Sequence, residues 1–335
     1  MTKRELGSTG REVTALGLGC MGMSWGYNES GRDDQESEAA ILSAVDAGVD
    51  FFDTARVYGD GHNERLVGWA LANHPEVVVA TKGGLIVDDL DARTMHRDGS
   101  PEALRRQIDE SLQNLGLDVL DLYYLHRVDP EVPLEESWGA LAEAVEAGKV
   151  RWLGLSEVSV DQAQRAHDVH PVTAIQSELS LWTRDALGGR FSAETAGSAG
   201  GADQASGDVV GWARAHGAAI VPFAPLGRGF LTNTLRPGDF EEGDFRKTNP
   251  RFVPEAFERN STITRTVEEI AREHGATAAQ VSLAWVLGLG EHVIPIPGTR
   301  RSAHLAENLA AMGVVLSPSE RNRLDDVPAA VGSRY

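Results

Sequence analysis

The sequence predicts an α/β fold: a (β/α)8 TIM barrel with an N-terminal β-hairpin that plugs one end and extra helices near the C-terminus. Three observations predict this class. Short apolar runs alternate with longer amphipathic stretches about eight times along the chain. Glycine follows several of the amphipathic stretches, as it does at helix C-caps. The length of 335 residues is within the range that α/β barrels occupy as one unit. We therefore expect residues 1–335 to form a single barrel domain.

Each predicted strand is a short apolar run, and each predicted helix is an amphipathic stretch that follows one. The strands are residues 16–19, 49–53, 77–81, 119–126, 151–156, 174–176, 219–223 and 292–297. The helices are residues 35–47, 63–73, 101–115, 134–147, 160–170, 208–216, 263–274 and 302–311, with further helices at 278–289 and 318–324. Ser100 and Pro101 suit an N-cap and first turn, and residues 4–13 suit the hairpin. The expected glycine C-caps are Gly48, Gly116, Gly148 and Gly217.

Composition excludes several classes of function. The net charge of −19 disfavours binding to nucleic acid, whose phosphates an acidic surface repels. No run of 18 apolar residues could span a membrane, and no apolar signal segment opens the chain. Cys20 is the only cysteine, so no internal disulfide can form. We expect a cytoplasmic protein. Its ten histidines show neither H-x-H nor H-E-x-x-H spacing, so we expect no metal, and a metal-dependent hydrolase is disfavoured.

Two glycine-rich segments need separate interpretation. Residues 17–22 match G-x-G-x-x-G, but loop-like residues follow the motif and the next helix begins near Asp34. A dinucleotide-binding turn of the Rossmann type has to open directly into a helix, so we interpret residues 17–22 as a strand end and an active-site loop. Residues 188–207 are rich in Gly, Ala and Ser, which predicts a flexible loop after the sixth strand.

Polar residues end several predicted strands. Asp53, Lys82, His126 and Ser156 each close one, and Tyr58 follows Asp53 by five residues. In a barrel all these ends lie on the same face, where active sites are built, so we expect these side chains to converge.

The chemistry of the converging residues is that of a proton donor. A nearby Lys82 ammonium would stabilise tyrosinate and lower the pKa of Tyr58, and Asp53 would keep Lys82 charged. His126 could orient a substrate oxygen. Such a group suits protonation of a carbonyl oxygen that becomes an alcohol. Because no side chain supplies a hydride, a nicotinamide cofactor is implied.

The ordered motifs of the chain resemble those of the aldo-keto reductase superfamily, in its bacterial branch related to potassium-channel β subunits. They are FFDTARVYG at 51–59, NERLVG at 63–68, ATK at 80–82, DLYYLHR at 121–127, GLSE at 154–157, IQ at 175–176, PFAPLGRGFL at 222–231, and IPIPGTRR at 294–301 with Glu307 and Asn308. The resemblance covers nearly the whole chain. It implies a barrel that binds NADPH across its C-terminal face and reduces an aldehyde or ketone.

The resemblance also implies residue roles. Asp53, Tyr58, Lys82 and His126 match the catalytic tetrad, with Tyr58 as the general acid. The nicotinamide and pyrophosphate positions are matched by Ser156, Glu157, Gln176, Phe223, Leu226, Gly227 and Arg228. The adenosine phosphate and adenine positions are matched by Gly298, Thr299, Arg300, His304, Glu307 and Asn308. Arg300 and Arg301 before a helix independently suit a 2′-phosphate, which favours NADPH over NADH.

The sequence leaves the substrate open. Trp25, Tyr27, Arg127 and Trp182 are expected to wall the pocket, which suits a sugar, an aromatic aldehyde or a natural-product ketone. Arg56 could meet an anionic substrate, although a surface charge is the simpler interpretation. An alternative function is a regulatory barrel that holds the nicotinamide as a redox sensor and turns over slowly. The sequence does not distinguish a monomer from a homo-oligomer.

Overall fold

Seven parallel strands form the wall of a barrel in the computed structural model, which describes residues 1–27, 29–189, 206–236 and 238–334. The chain order around the wall is β3-β4-β5-β8-β9-β10-β11. These strands are β3 (Leu18–Gly19), β4 (Phe51–Asp53), β5 (Val78–Gly83), β8 (Leu120–Leu125), β9 (Val150–Ser156), β10 (Ala174–Glu178) and β11 (Ala219–Phe223). All seven correspond to predicted strands.

The predicted eighth strand closes the barrel, although proline weakens its pairing. The amides of Ile294 and Ile296 donate to carbonyls of the β11 segment at 2.7 and 3.0 Å. On the other side, the carbonyls of Pro295 and Pro297 accept from the amides of Gly17 and Gly19 at 3.0 and 3.4 Å. Because proline has no N–H, the ladder on that side carries bonds in one direction only. Parallel bridges join Val293 to β11 and Gly298 to β3, so the barrel is closed.

A helix follows each strand and packs outside the wall. The helices are α1 (Asp34–Asp46), α2 (His62–Leu71), α3 (Pro101–Leu115), α4 (Leu134–Glu146), α5 (Val160–Val169), α6 (Val209–Ala215), α7 (Phe245–Thr248), α8 (Pro254–His274), α9 (Ala278–Leu287), α10 (Ser302–Ala310) and α11 (Pro318–Asp325). The Ser100 hydroxyl caps α3, and Gly116 ends it at φ +66°. Gly48, Gly148 and Gly217 also have positive φ, as the capping argument predicts.

The N-terminal hairpin plugs the barrel. Strands β1 (Lys3–Glu5) and β2 (Glu12–Thr14) pair antiparallel, and Leu6, directly after β1, and Val13, within β2, are fully buried. Both side chains belong to the cluster that fills the barrel interior with residues such as Leu122. The (β/α)8 barrel with an N-terminal plug is therefore confirmed.

Three parts of the fold differ from the prediction. The short helix α7 was not predicted. Helix α8 begins at Pro254, nine residues before the predicted start, because its buried face includes Asn260, whose polar side chain breaks the apolar pattern. Asn260 is satisfied by both backbone groups of Val331. A β-hairpin, β6 (Leu85–Asp89) and β7 (Thr94–Arg97), was not predicted. Its Ile86, Val87 and Thr94 favour strand, but its side chains are mostly exposed and show no one-sided pattern.

The Gly/Ala/Ser-rich segment at 188–207 was predicted as a flexible loop, and its residues 190–205 lie outside the described residues. Directly before and after this segment, Leu187 and Asp208 form an antiparallel bridge. Within the described ranges, no helix has the length and apolar character needed to cross a membrane.

Candidate active site

Four of the predicted site residues meet at the carboxyl ends of the strands. Asp53 ends β4, Lys82 lies near the end of β5, and His126 directly follows β8. Tyr58 returns over them from the loop after β4. Its ring lies edge-on to that of His126, with centroids 5.8 Å apart. The structure thus brings Asp53, Tyr58, Lys82 and His126 into one cluster.

Lys82 is the centre of the cluster. Its side chain is fully buried, and Nζ donates to Asp53 Oδ1 at 2.6 Å and to the Thr54 carbonyl at 2.7 Å. The phenol oxygen of Tyr58 lies 3.5 Å from the same nitrogen. A buried ammonium held by a carboxylate, a carbonyl and a phenol has little freedom to move, so Lys82 is preorganised beside the Tyr58 hydroxyl.

The protonation states follow from burial and charge. Burial acts to lower the pKa of Lys82, but Asp53 and Tyr58 outweigh it and raise that pKa, so the ammonium persists. Burial also raises the pKa of Tyr58, and Lys82 opposes this without cancelling it. Lys82 lowers the pKa of Tyr58, as predicted, but desolvation of the buried phenol is the larger effect and the net shift is upward. Tyr58 is protonated at neutral pH.

His126 is neutral in this environment. Burial, with the charges of Arg127 and Lys82, holds the pKa of the imidazole well below its usual range. The side chain is nearly buried, and Nδ1 has no hydrogen-bond partner within the part of the chain that the structure describes. A neutral imidazole can donate one hydrogen bond to a substrate oxygen without competing for the proton of Tyr58.

Gln176 and Asn63 support the cluster through contacts that the sequence did not reveal. Gln176 Nε2 donates to Asp53 Oδ2 at 2.7 Å, so both oxygens of Asp53 are fixed. Asn63, at the start of α2, accepts from the Thr54 hydroxyl at 2.6 Å and donates to the Cys20 carbonyl at 2.9 Å. These bonds hold the loop that carries Tyr58. The motif at 63–68 was the sequence signal for Asn63, but spacing gave it no role.

The predicted nicotinamide positions gather at the end of β9 and β10. The Ser156 hydroxyl accepts from Arg127 Nη1 at 3.1 Å, and Gln176 lies on the neighbouring strand. Phe223 ends β11 and is half-buried. Glu157 is held within the protein, since one of its oxygens accepts from the Glu178 amide at 2.7 Å and the other pairs with Arg334, and its contact with the cofactor stays a prediction. Its carboxylate is engaged within the protein.

A buried charge network also engages Arg228, which was predicted to contact the cofactor. Arg228 Nη2 lies 2.8 Å from Glu178 Oε2, with both side chains nearly inaccessible. Burial would raise the pKa of Glu178, yet Arg228, Arg334 and Arg251 hold it at about 2. The Arg228 side chain thus points to Glu178. Its backbone, like those of Gly227 and Gly229, has positive φ, and the amides of these two glycines donate to the carbonyls of Ala224 and Leu226 at 2.9 and 3.1 Å.

The predicted adenosine end fits an anionic group. Helix α10 has no side-chain N-cap, no acidic residue in its first turn, and Arg300 and Arg301 directly before it. Its uncapped amides, the helix dipole and two guanidinium groups suit a phosphate. Arg300 also donates to the Gly31 carbonyl at 2.9 Å. Of the other residues predicted to contact the adenosine end of the cofactor, Gly298 and His304 are exposed, Thr299 and Glu307 are partly exposed, and Asn308 is buried.

The predicted pocket wall is only partly as expected. Trp25 is half-buried and packs with Met21, Leu85 and Val87 against the Tyr58 cluster. Tyr27 lies under the Arg246 guanidinium, 5.0 Å from it. Trp182 was predicted in the wall, but it is 3% exposed and stacks on Phe230 with centroids 4.2 Å apart. It belongs to the core beneath Gly227, where a β-carbon would meet its ring at 2.6 Å.

Arg56 is held in ion pairs at the surface. Arg56 pairs with Asp60 at 2.6 Å and Glu110 at 2.8 Å, so the surface interpretation holds and not the anionic-substrate interpretation. Among the residues that the structure describes, no three His, Cys, Asp or Glu side chains are grouped as metal ligands.

Fold and site together define a (β/α)8 barrel with a buried Asp–Lys–Tyr–His cluster at the carboxyl face of its strands. The family model described as the aldo/keto reductase family matches residues 15–329. The chain belongs to the aldo/keto reductase family.

Similar proteins agree with this membership. The chain is 40% identical over 336 residues to a probable aldo-keto reductase 1 of Glycine max, covering 99% of this chain and 91% of that one. It is 38% identical over 330 residues to an aldo-keto reductase of Schizosaccharomyces pombe, yakc, whose name carries the label NADP(+), covering 96% and 92%. Two solved structures are each 28% identical: the Gluconobacter oxydans glycerol dehydrogenase AKR11B4, with TM-score 0.82 over 97% and 94% of the chains, and the thermostable aldo-keto reductase Tm1743 with the inhibitor epalrestat, with TM-score 0.73 over 97% and 99%.

Proposed function

We propose that this protein is an NADPH-dependent reductase that converts an aldehyde or ketone to the alcohol, with Tyr58 as proton donor. The observation that carries the proposal is the position of Tyr58, whose hydroxyl lies 3.5 Å from the buried, charged Lys82 and whose ring lies edge-on to the neutral His126. When bound, the reduced nicotinamide supplies the hydride to the carbonyl carbon.

The residues of the chain supply the rest of the chemistry. His126 orients the carbonyl oxygen, and Tyr58 donates its proton to that oxygen as negative charge develops there. Lys82 stabilises the resulting tyrosinate, because its ammonium lies within hydrogen-bonding reach. Asp53 keeps Lys82 charged, and Gln176 keeps Asp53 in place. Ser156 and Gln176 would hold the carboxamide, with Phe223 beside the ring, and Arg300 and Arg301 the 2′-phosphate.

The surroundings of Tyr58 support an apolar or aromatic substrate over a sugar. Met21, Trp25, Leu85 and Val87 pack around the loop that carries Tyr58, and only the indole N–H of Trp25 among them is a strong hydrogen-bonding group for a sugar hydroxyl. The β6–β7 hairpin contributes two of these side chains, and Arg93 at its turn donates to Glu29 and to the Gly243 carbonyl. The hairpin therefore joins two other loops of the carboxyl face.

The test of the function is NADPH consumption with aromatic aldehydes, apolar ketones and ketosugars. We expect turnover with the first two classes and little with the third. Wild-type protein that binds NADPH but turns over none of the panel would contradict the proposed activity, and turnover confined to ketosugars would contradict the substrate class.

The pH dependence should show neither group titrating near neutrality. The pKa of His126 is lowered and that of Tyr58 is raised. Between these two pKa values His126 stays neutral and Tyr58 stays protonated, which are the forms that reduction requires. We expect kcat for reduction to be flat from about pH 6 to 8 and to fall only at alkaline pH, where Tyr58 loses its proton. An inflection near pH 6.5 that His126→Gln removes would contradict this assignment.

The cofactor assignment predicts an asymmetric loss of affinity. Arg300→Ala combined with Arg301→Ala should weaken NADPH by roughly 10- to 100-fold and NADH much less, because only NADPH carries the 2′-phosphate. Fluorescence titration of both dinucleotides measures this. Arg272→Ala combined with Arg321→Ala, two arginines outside this region, is the control. Equal loss for NADPH and NADH would remove the two arginines from the 2′-phosphate site.

A further inference from the structure

The C-terminal segment returns from α11 to the carboxyl face and is held there by polar contacts. Asn260 bonds both backbone groups of Val331, at 3.1 and 2.7 Å. Arg251 Nε donates to the Gly332 carbonyl at 3.1 Å, and Asn249 Nδ2 donates to the Arg334 carbonyl at 2.7 Å. These contacts seat the segment deeply, and the Arg334 side chain at its end is 2% exposed.

The Arg334 guanidinium reaches the end of β9. Nη2 donates to Glu157 Oε2, and Nη1 lies 3.9 Å from Asp185 Oδ2. The Glu157 side chain is fully inaccessible, and its other oxygen accepts from the Glu178 amide of β10. A buried carboxylate fixed on both oxygens cannot reorient, so Arg334 and Glu178 together fix the position of this side chain.

The Glu157 backbone needs that support. Its φ of +55° is in the left-handed region, which is uncommon for a residue other than glycine. Its amide donates to the Gln176 carbonyl at 2.9 Å, and Ser156 is its chain neighbour. Glu157 therefore forms a strained corner that sets the relative position of Ser156 and Gln176.

We propose that Arg334 is a positioning residue for the nicotinamide end of the cofactor site, acting through the buried Glu157 corner. The inference rests on the proposed function, because it assigns Ser156 and Gln176 to the nicotinamide carboxamide. Arg334 itself touches neither substrate nor cofactor. Its role is to keep the corner in the geometry that those two side chains require.

Comparing the affinities of two ligands distinguishes a positioning role of Arg334 from a general effect on the stability of the protein. NADPH occupies both ends of the site, whereas adenosine 2′,5′-bisphosphate can occupy only the end near α10. Arg334→Met should weaken NADPH by roughly tenfold, the loss of about one good hydrogen bond, and leave the bisphosphate within about twofold of wild type. Arg334→Lys should restore most of the NADPH affinity, because it keeps the charge beside Glu157. Fluorescence titration and calorimetry measure both affinities.

The control is Arg323→Met in α11, an exposed arginine paired with Glu269 and Glu273, which should change neither affinity. If Arg334→Met does not fold, Glu157→Met combined with Arg334→Met removes both buried charges and should fold while still binding NADPH weakly.

Three outcomes overturn the inference: wild-type NADPH affinity in Arg334→Met, wild-type affinity in the folded double variant, or equal loss of both ligands. Failure of wild-type protein to bind NADPH would instead overturn the proposed function, so the two failures are distinguishable.

Discussion

Replacing Tyr58 with phenylalanine should lower kcat for carbonyl reduction by roughly 10²–10⁴, the usual contribution of general acid catalysis. The substitution removes one hydroxyl, which lies 3.5 Å from Lys82 Nζ, and leaves the ring that meets His126 edge-on. Dinucleotide affinity should change little. Steady-state NADPH consumption gives kcat, and fluorescence titration gives the dissociation constant.

Tyr123→Phe is the matched control. Tyr123 is also a fully buried tyrosine, but it belongs to the core between the strands and the helices. Its loss of a hydroxyl should leave kcat near wild type. If Tyr58→Phe retains near-normal turnover, Tyr58 is not the acid, and another donor has to be sought.

Replacing Lys82 with methionine should cost both activity and stability. The kcat for carbonyl reduction should fall by a factor of roughly 10²–10⁴, because Tyr58 loses the cation that stabilises its anion. The free energy of unfolding should drop by about 3–5 kcal/mol, since Asp53 is left charged and buried without its partner. Denaturant titration monitored by circular dichroism measures the second effect.

The pH dependence of the Lys82→Met variant follows from the sign of the Asp53 shift. Burial already raises the pKa of Asp53 against the pull of Lys82, and removing Lys82 raises it further. Between the unfolded and folded pKa values the native state then binds more protons than the unfolded state, so stability falls as pH rises. We expect the deficit to shrink as the solution is acidified from pH 7.

Asp53→Asn combined with Lys82→Met separates the two effects. With the Asp53–Lys82 pair replaced by uncharged side chains, stability should recover substantially, while activity should stay low because Tyr58 still lacks its cation. A double variant as unstable as Lys82→Met alone would show that packing, and not the unpaired carboxylate, causes the loss.

The sequence predicted the elements that local rules specify. Helix α3 and strand β11 have the predicted bounds, because Ser100, Pro101 and Gly116 are strong local signals and β11 is a compact apolar run. The β6–β7 hairpin was missed because neither of its faces is buried enough to impose alternation. The first nine residues of α8 were missed because Asn260 lies on its buried face and is satisfied by a residue far along the chain.

The residues of the site divide in the same way. Asp53, Tyr58, Lys82 and His126 could be predicted because strand ends of a barrel converge, so position along each strand fixes position on the face. The side-chain partners of Glu157 and Arg228 could not be predicted from the sequence. Arg334 lies 177 residues from Glu157, and spacing carries no information about a contact of that range. Both residues had been predicted to contact the cofactor from their motifs alone.

The sequence by itself determined the barrel, the plug and the cluster around Lys82, because periodicity, capping and strand-end placement are local properties that a regular fold converts into three dimensions. Only the tertiary structure decided the protonation of Tyr58 and the hydrogen bond from Gln176 to Asp53. It also decided the burial of Trp182 and the pairing of Arg334 with Glu157. Each of these depends on desolvation or on a pairing between distant segments, and both exist only after the chain has packed.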